Sequence, residues 1–218
     1  MTAKHWPLFG LRLATPRLEL RLPTIEQLDE LAELSIDGVH APDFMPFAMP
    51  WTDTPVETRG QEVMKYHWGQ LGAWSPEHWT VHFVVLHEGT VIGTQALGGR
   101  DFAVLKEVHT GSWLGRRYHR NGFGTEMRAA VLHLGFAGLG AEFALSDAFE
   151  DNAPSLGVSR KLGYEPDGIQ RLVRRGIPAT NIRLRLSRKS WEANHRVAVE
   201  ITGLEKCLPM FGIGQSNG

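Results

Sequence analysis

The stretch that decides the reading is Gly111-Ser112-Trp113-Leu114-Gly115-Arg116-Arg117-Tyr118, running on into His119-Arg120-Asn121-Gly122-Phe123-Gly124-Thr125. Glu107 to Leu114 reads as a strand. Met127, Val131, Leu134 and Gly138, with Ala130 beside them, recur at helical spacing. A strand that turns through glycines into a helix aims several backbone N–H groups at one point, and the helix macrodipole adds to them. Such a point suits a phosphate or pyrophosphate. Gly122 and Gly124 carry no Cβ, so an anion can approach the main chain closely. Arg116, Arg117 and Arg120 add charge at the mouth. Two common phosphate loops are excluded. A P-loop ends in Gly-Lys-Ser/Thr, and Gly124-Thr125-Glu126 has no lysine. A dinucleotide loop needs a third glycine three residues after the second and a place near the first strand, and this loop has neither.

Working outward, Leu13 to Leu22 reads as one strand with Leu18, Leu20 and Leu22 on one face. Thr24-Ile25-Glu26-Gln27 has the pattern of a capping box, and Ile25, Leu28, Leu31 and Ala32 carry the helix to about Ile36. Pro42, Pro46, Pro50 and Pro55 break regular structure between two helices, and the second helix runs from Val56 to about Leu71. Apolar residues in that loop (Phe44, Met45, Phe47, Met49, Trp51) suit either a pocket wall or a loop packed on its own core. Trp79–Leu86 and Thr90–Leu97 form a hairpin about Glu88-Gly89. After the glycine helix come a strand from Phe143 to Ala148, a helix opened by Asp151-Asn152-Ala153-Pro154 and stopped by Gly163, and a last strand from Asn181 to Leu186. The order predicts an α+β (or α/β) fold.

The chain has 218 residues, 42% hydrophobic and 22% charged, enough for one sizeable core. A net charge of -1 gives no bulk attraction to nucleic acid or a membrane surface, so neither is an expected partner. Cys207 is the single cysteine, which excludes an intrachain disulfide and suits a reducing, cytoplasmic setting. No signal-peptide pattern and no apolar run of about 20 residues is present. His78 and His82 share a strand face and His87 is nearby, but the sequence names no convergent third ligand for zinc, so no metal site is expected.

The run Gly111 through Glu126 resembles motif A of the GNAT acyltransferase superfamily, Gln/Arg-x-x-Gly-x-Gly/Ala, with His119 where the family usually has Gln or Arg. Asn152-Ala153-Pro154-Ser155 through Arg160-Lys161-Leu162-Gly163-Tyr164 resembles the helix that follows motif A in that family. Thr15-Pro16-Arg17-Leu18-Glu19-Leu20-Arg21 resembles the opening of the branch that contains ribosomal-protein N-terminal acetyltransferases. The whole chain is also similar to bacterial members regarded as succinyl-CoA transferases. The resemblance implies a GNAT domain over residues 1–190, with a mixed, mostly antiparallel, V-splayed sheet flanked by helices. Residues 191–218 would form a tail covering the domain or a partner subunit in a homodimer or higher homo-oligomer.

It further implies an acyltransferase that moves an acetyl or succinyl group from acyl-CoA to an amine by direct attack in a ternary complex, without a metal. The acceptor is left open between a protein N-terminus, a lysine and a small amine. The contrasting reading is a CoA-binding sensor or interaction module with little catalysis. Implied CoA contacts are Trp113, Leu114, Gly115, Arg117, His119, Arg120, Asn121, Gly122, Phe123, Gly124, Thr125, Asn152 and Ser155. His119, once protonated, would add a charged contact to phosphate. Glu107 and His109 share a strand face and are the two candidates for the base; the same pair also suits a solvated face. Ser155 is the candidate acid, ahead of Ser159 at the position usually held by tyrosine, and it also reads as a plain first-turn serine. Arg100, Arg116 and Arg117 are the cations available to a succinyl carboxylate. Cys207, far from these motifs, reads as a buried apolar residue and not as an acyl carrier.

Overall fold

The computed structural model describes residues 4–214, so the outermost residues of both expected segments, 1–3 and 215–218, lie outside it. After a short 3-10 turn at Pro7–Gly10 come strands β1 (Arg12–Ala14) and β2 (Leu18–Arg21). The single strand expected from Leu13 to Leu22 is thus a hairpin. Pro16 cannot donate to a ladder. The Thr15 hydroxyl accepts from the Leu18 N–H at 3.0 Å, and the Thr15 N–H donates to the Leu18 carbonyl at 2.9 Å. The reversal pairs Leu13 with Leu20, both fully buried.

Helix α1 (Ile25–Asp37) starts at the expected capping box, with both reciprocal bonds formed between Thr24 and Gln27. It buries Leu28, Leu31 and Ala32, as their spacing predicts, together with Leu34. The proline-rich segment is irregular apart from one turn at Trp51–Asp53, and α2 spans Val56–Gly72. Strands β3 (His78–His87) and β4 (Thr90–Arg100) form the expected hairpin. Its turn residues Glu88 and Gly89 both take positive φ (51° and 78°), which a two-residue type I′ connection requires. A single turn, α3 (Phe102–Leu105), leads to β5 (Glu107–Leu114), which has the span read from sequence. Then follow α4 (Phe123–His133) with a π turn at Leu134–Gly138, β6 (Phe143–Phe149) and α5 (Ala153–Lys161).

Two further strands, β7 (Glu165–Arg174) and β8 (Ile177–Ser187), form a hairpin where one strand was expected. Strand β7 is mostly exposed and contains Pro166, Asp167 and Gly168, so it shows no alternation of apolar residues. It sits at the sheet edge, where such residues are tolerated. The tail contributes α6 (Arg188–Asn194), β9 (Glu200–Thr202) and a 3-10 segment at Glu205–Phe211. Strand β9 adds to β1 at the other edge, and Phe211 packs on Trp79 with ring centroids 4.7 Å apart.

The sheet order is β7-β8-β6-β5-β4-β3-β2-β1-β9. Every pair is antiparallel except β5–β6. That parallel pair holds only at Glu107↔Phe143, Val108↔Ala144 and His109↔Leu145. Beyond it β5 stays with β4 and β6 stays with β8, so the sheet opens into a V. Helix α4 buries Met127, Ala130 and Val131 against one face of the sheet, whereas α1 and α2 cover the other.

Under α2, His67 and His82 meet edge to face with ring centroids 5.2 Å apart, and Tyr66 reaches His82 Nε2 at 3.4 Å. Burial holds the His67 imidazole down to about 4. Burial holds His82 down to about 3, with repulsion from His67 and His109 adding to it. The unfolded chain takes up these protons near pH 6.5, so between there and pH 4 it binds more protons than the native state. Stability from these groups is therefore complete above pH 6.5 and falls as pH drops, by about 1.4 kcal/mol per pH unit for each proton. Urea midpoints measured from pH 7 to 5 should decline, and His67→Leu should flatten that decline.

Candidate active site

The glycine loop closes by local chemistry. Its first part is a 3-10 turn at Arg116–Tyr118. Arg120 and Gly122 then adopt positive φ (64° and 80°), and Gly122 caps α4. Alternating backbone conformations of this kind turn successive N–H groups toward one side. Among the described residues, the N–H groups of residues 120, 121, 122, 123 and 124 have no protein acceptor, whereas those of Thr125 and Glu126 bond to the Gly122 carbonyl. Five consecutive free donors at a helix N-terminus form an anion cradle. A Cβ added at Gly124 would meet only Val158 and Leu114, at 3.7 and 3.9 Å, so the protein itself does not demand glycine there.

The cradle is clamped from below by Glu126, which is nearly buried in the first turn of α4. One carboxylate oxygen accepts from the Thr15 hydroxyl (2.7 Å) and the Arg17 N–H (3.0 Å); the other faces Arg17 Nε (2.7 Å) and Nη2 (2.6 Å). Arg17 Nη1 also donates to the Asn121 carbonyl at 3.1 Å, and its guanidinium lies over Phe123. Glu126 and Arg17 were not among the expected site residues. The visible signal is a carboxylate in the first turn of a helix that otherwise attracts anions, an arrangement that works only if the carboxylate is neutralised.

Several residues expected at the coenzyme have protein partners of their own. His119 Nε2 bonds to the Leu114 carbonyl at 3.0 Å, so the ring staples the loop to β5, and that nitrogen is not offered to a phosphate. The Leu114 carbonyl is occupied by the same bond. The Gly115 N–H donates to the Ile92 carbonyl, and the Gly115 carbonyl accepts from Tyr118, so neither is free for a ligand. Gly115 is glycine for packing: a Cβ would lie 2.4 Å from Leu34 Cδ1 of α1. Arg117 turns away to Asp37 at 2.9 Å. The Phe123 side chain is buried between Arg17 and His87, leaving only its main chain toward the cradle. Trp113 packs at a tilt against Trp51 of the proline-rich loop, so its side chain too serves packing. Arg120, Asn121, Gly122 and Thr125 stay at the mouth. Arg100 and Arg116 are exposed, at the end of β4 and at the start of the loop.

Past His109, β5 has no partner on its β6 side, and its backbone from Thr110 to Leu114 borders the V. His109 and Glu107 point to the α1–α2 face. His109 is the last paired residue, at the apex of the V. His109 keeps access to solvent although its ring packs close to Gly98 and Thr80. Burial holds its pKa below the usual histidine range, His78 adds repulsion, and Asp147 partly offsets both. Glu107 lies one step below the apex and faces Arg185 at 3.4 Å. On the other face, Asn152 caps α5 by accepting from the Ser155 N–H at 3.2 Å. Ser155 is partly exposed, whereas Ser159 is fully buried and accepts from Arg128 Nη1 at 2.9 Å. Arg128 was also missed. Its mark in the sequence is a charge three and four residues before Val131 and Leu132, both fully buried.

A V-shaped opening beside a parallel strand pair, with an anion cradle at its mouth, defines an acyl-CoA-dependent acyltransferase of the N-acetyltransferase type. The model of the acetyltransferase (GNAT) domain matches residues 17–165, more than half of the chain, and the chain belongs to that family. Solved structures with the same fold include RimJ from Mycobacterium smegmatis in complex with CoA-disulfide (TM-score 0.68, 14% identity, covering 93% of this chain and 95% of that one). Another is a GCN5-related N-acetyltransferase from Brucella melitensis (0.67, 19%, covering 84% and 81%). A third is RimL, a ribosomal L7/L12 alpha-N-protein acetyltransferase in complex with coenzyme A (0.61, 14%, covering 79% and 95%). Among the described residues, no helix is long and apolar enough to cross a membrane, and no group of three or more His, Cys, Asp or Glu side chains could hold a metal ion.

Replacing Arg17 leaves the Glu126 charge beside the cradle without its counter-ion. Arg17→Ala should cost about 1–3 kcal/mol in urea unfolding, since charge-assisted bonds to a buried carboxylate are lost. It should also weaken coenzyme A binding, measured by calorimetry, at least about tenfold, the equivalent of about 1.4 kcal/mol.

Proposed function

We propose that this protein moves an acetyl or succinyl group from acyl-CoA to an amine by direct attack in a ternary complex. The observation that carries the reading is the run of five unpaired N–H groups at residues 120–124, set at the mouth of the V. Those donors suit the pyrophosphate of CoA, and the unpaired edge of β5 suits the amide-bearing pantetheine arm. The thioester then comes to rest near the apex, beside His109.

An amine entering from the α1–α2 face attacks the thioester carbonyl with its lone pair. His109 takes the proton released by the amine as the new C–N bond forms. The C–S bond breaks, and the Ser155 hydroxyl, the open one of the two serines on α5, relays a proton to the departing thiolate as it takes one up from solvent, while His109 later loses the amine's proton to solvent. His109 is favoured over Glu107 because it stands at the apex and burial keeps it neutral, whereas Glu107 faces Arg185. A cysteine-borne intermediate is disfavoured. Cys207 is fully buried, its thiol donates to the Gly203 carbonyl, and burial pushes its pKa up to about 11. The name of RimL points to a protein α-amine, so an N-terminal peptide is the first acceptor to try, followed by lysine peptides and small amines.

The test is release of free CoA thiol from acetyl-CoA and succinyl-CoA across such an acceptor panel, with mass spectrometry of the purified protein for retained thioester. Tight CoA binding with no transfer across the panel would leave the binding-module reading instead. His109→Ala should lower kcat about 10²–10⁴-fold while CoA affinity holds, and Glu107→Gln should cost less. Because the His109 pKa is lowered, kcat/KM should be fully developed with respect to this group at pH 7 and fall only below pH 6.5. That acid limb should vanish in His109→Ala. Gly124→Trp should abolish CoA binding by filling the cradle.

A further inference from the structure

Arg128 is 5% exposed, yet among the described residues it joins no ion pair. Nη1 donates to Ser159. Nε is sealed from solvent without an acceptor, and no described residue accepts from Nη2. Nε–H and Nη2–H point the same way and form the edge of a guanidinium that fits a carboxylate. Two other arginines of this chain fill that edge with a carboxylate, and Arg21 Nε, the other arginine nitrogen sealed without an acceptor, still lies 3.3 Å from a Glu19 carboxylate oxygen. Arg175 lays Nε and Nη2 on the two oxygens of Asp53 at 2.8 and 2.5 Å, and Arg17 turns the same edge onto Glu126. Arg128, the most buried of the four, leaves it empty. A buried cation without a counter-charge is strongly unfavourable, so a fold that keeps one is poised for an anion.

Its place narrows which anion. Ser159 ties Arg128 to α5. Tyr164, just beyond that helix, meets Thr110 at 3.5 Å, and Thr110 is the first β5 residue past the pairing with β6. Asp147, on the β6 side of the same opening, attracts Arg128 without touching it, and the Asp147 carboxylate is engaged by Asn181 at 2.8 Å. Arg128 is therefore tied to α5 and lies close to Tyr164 and Asp147, beside the end of the β5–β6 pairing; on the acyl-transfer reading, that is where the acyl group of a bound thioester arrives.

The geometry points to Arg128 as a carboxylate-binding group for the acyl chain: the donor is an ω-carboxyacyl thioester of coenzyme A, of which succinyl-CoA is the simplest ready probe. This rests on the acyl-transfer reading of the same site. A departing thiolate, the other anion within reach, offers one atom where the guanidinium edge presents two donors. It also forms only during turnover, which would leave the cation unpaired in the substrate complex. Arg100, Arg116 and Arg117, the cations suggested by sequence, are exposed at strand and loop ends.

The experiment compares wild type, Arg128→Met and Arg128→Lys by calorimetric binding of CoA, acetyl-CoA and succinyl-CoA, and by kcat/KM for the two thioesters with one amine. Wild type should favour succinyl-CoA over acetyl-CoA by at least about tenfold, the equivalent of one strong charge-assisted contact. That ratio should collapse toward one in Arg128→Met and be partly kept in Arg128→Lys, which retains charge but not the fork. If Arg128→Met does not fold, the wild-type ratio and the lysine variant still decide. A wild-type preference for acetyl-CoA overturns the assignment, as does a variant that weakens both thioesters in proportion. Arg128-dependent preference for succinyl-CoA in binding, without transfer to any amine, supports this assignment and defeats the catalytic reading instead.

Discussion

Three residue pairs, from Glu107↔Phe143 to His109↔Leu145, are all that joins β5 to β6, and the site depends on that brevity. A longer parallel ladder would close the V and consume the backbone groups of Thr110 to Leu114. A missing ladder would leave α4 without a fixed register on the sheet. The short pairing holds because each strand has a full partner on its other side: β5 has β4 and β6 has β8. Each half is thus anchored independently, and the gap between them can stay open without leaving either strand as a free edge over its whole length.

The cradle at the mouth of that gap is an electrostatic compromise. Five unpaired N–H groups and the N-terminus of α4 attract an anion, while Glu126 in the first turn would repel one. The N-terminal hairpin resolves the conflict by covering Glu126 with four donors, from the Thr15 hydroxyl, the Arg17 N–H and the Arg17 guanidinium. The same guanidinium holds the Asn121 carbonyl. Glu126 therefore fixes the loop conformation, and its charge is cancelled locally. This explains how a chain of net charge -1 can present an anion site without a wide basic surface.

Local chemistry was legible in the sequence; pairing over distance was less so. The capping box at Thr24, the Glu88-Gly89 turn, the span of β5 and the Asn152 cap each depend on residues close together, and each was found. The split of Leu13–Leu22 into a hairpin hinges on Thr15 and Pro16, but the repeating leucines on both sides mask it. Strand β7 shows no apolar alternation because an edge strand has little to bury, and β9 is three residues held only by β1. At the site, main-chain geometry follows from glycine positions, so the cradle was legible. The destinations of His119, Arg117 and Gly115 are set by Leu114, Asp37, Ile92 and Tyr118, whose proximity exists only once the chain is folded. Arg128 could have been suspected from its place on a buried stripe, but its empty fork could not.

The two faces of the V differ in how they treat charge. On the α1–α2 face, burial lowers the pKa values of His67, His82 and His109. An environment that disfavours imidazolium disfavours ammonium for the same reason, because the cost lies in removing a cation from water. On the proposed reading, an amine entering there would be shifted toward its neutral form, which carries the lone pair needed for attack. On the α4–α5 side, Arg128 keeps a cation that a guanidinium cannot surrender at neutral pH. In the proposed mechanism the acceptor side would thus strip charge from a nucleophile while the donor side holds a fixed positive charge. The narrow pairing of β5 with β6 lets the two environments meet at one apex without mixing.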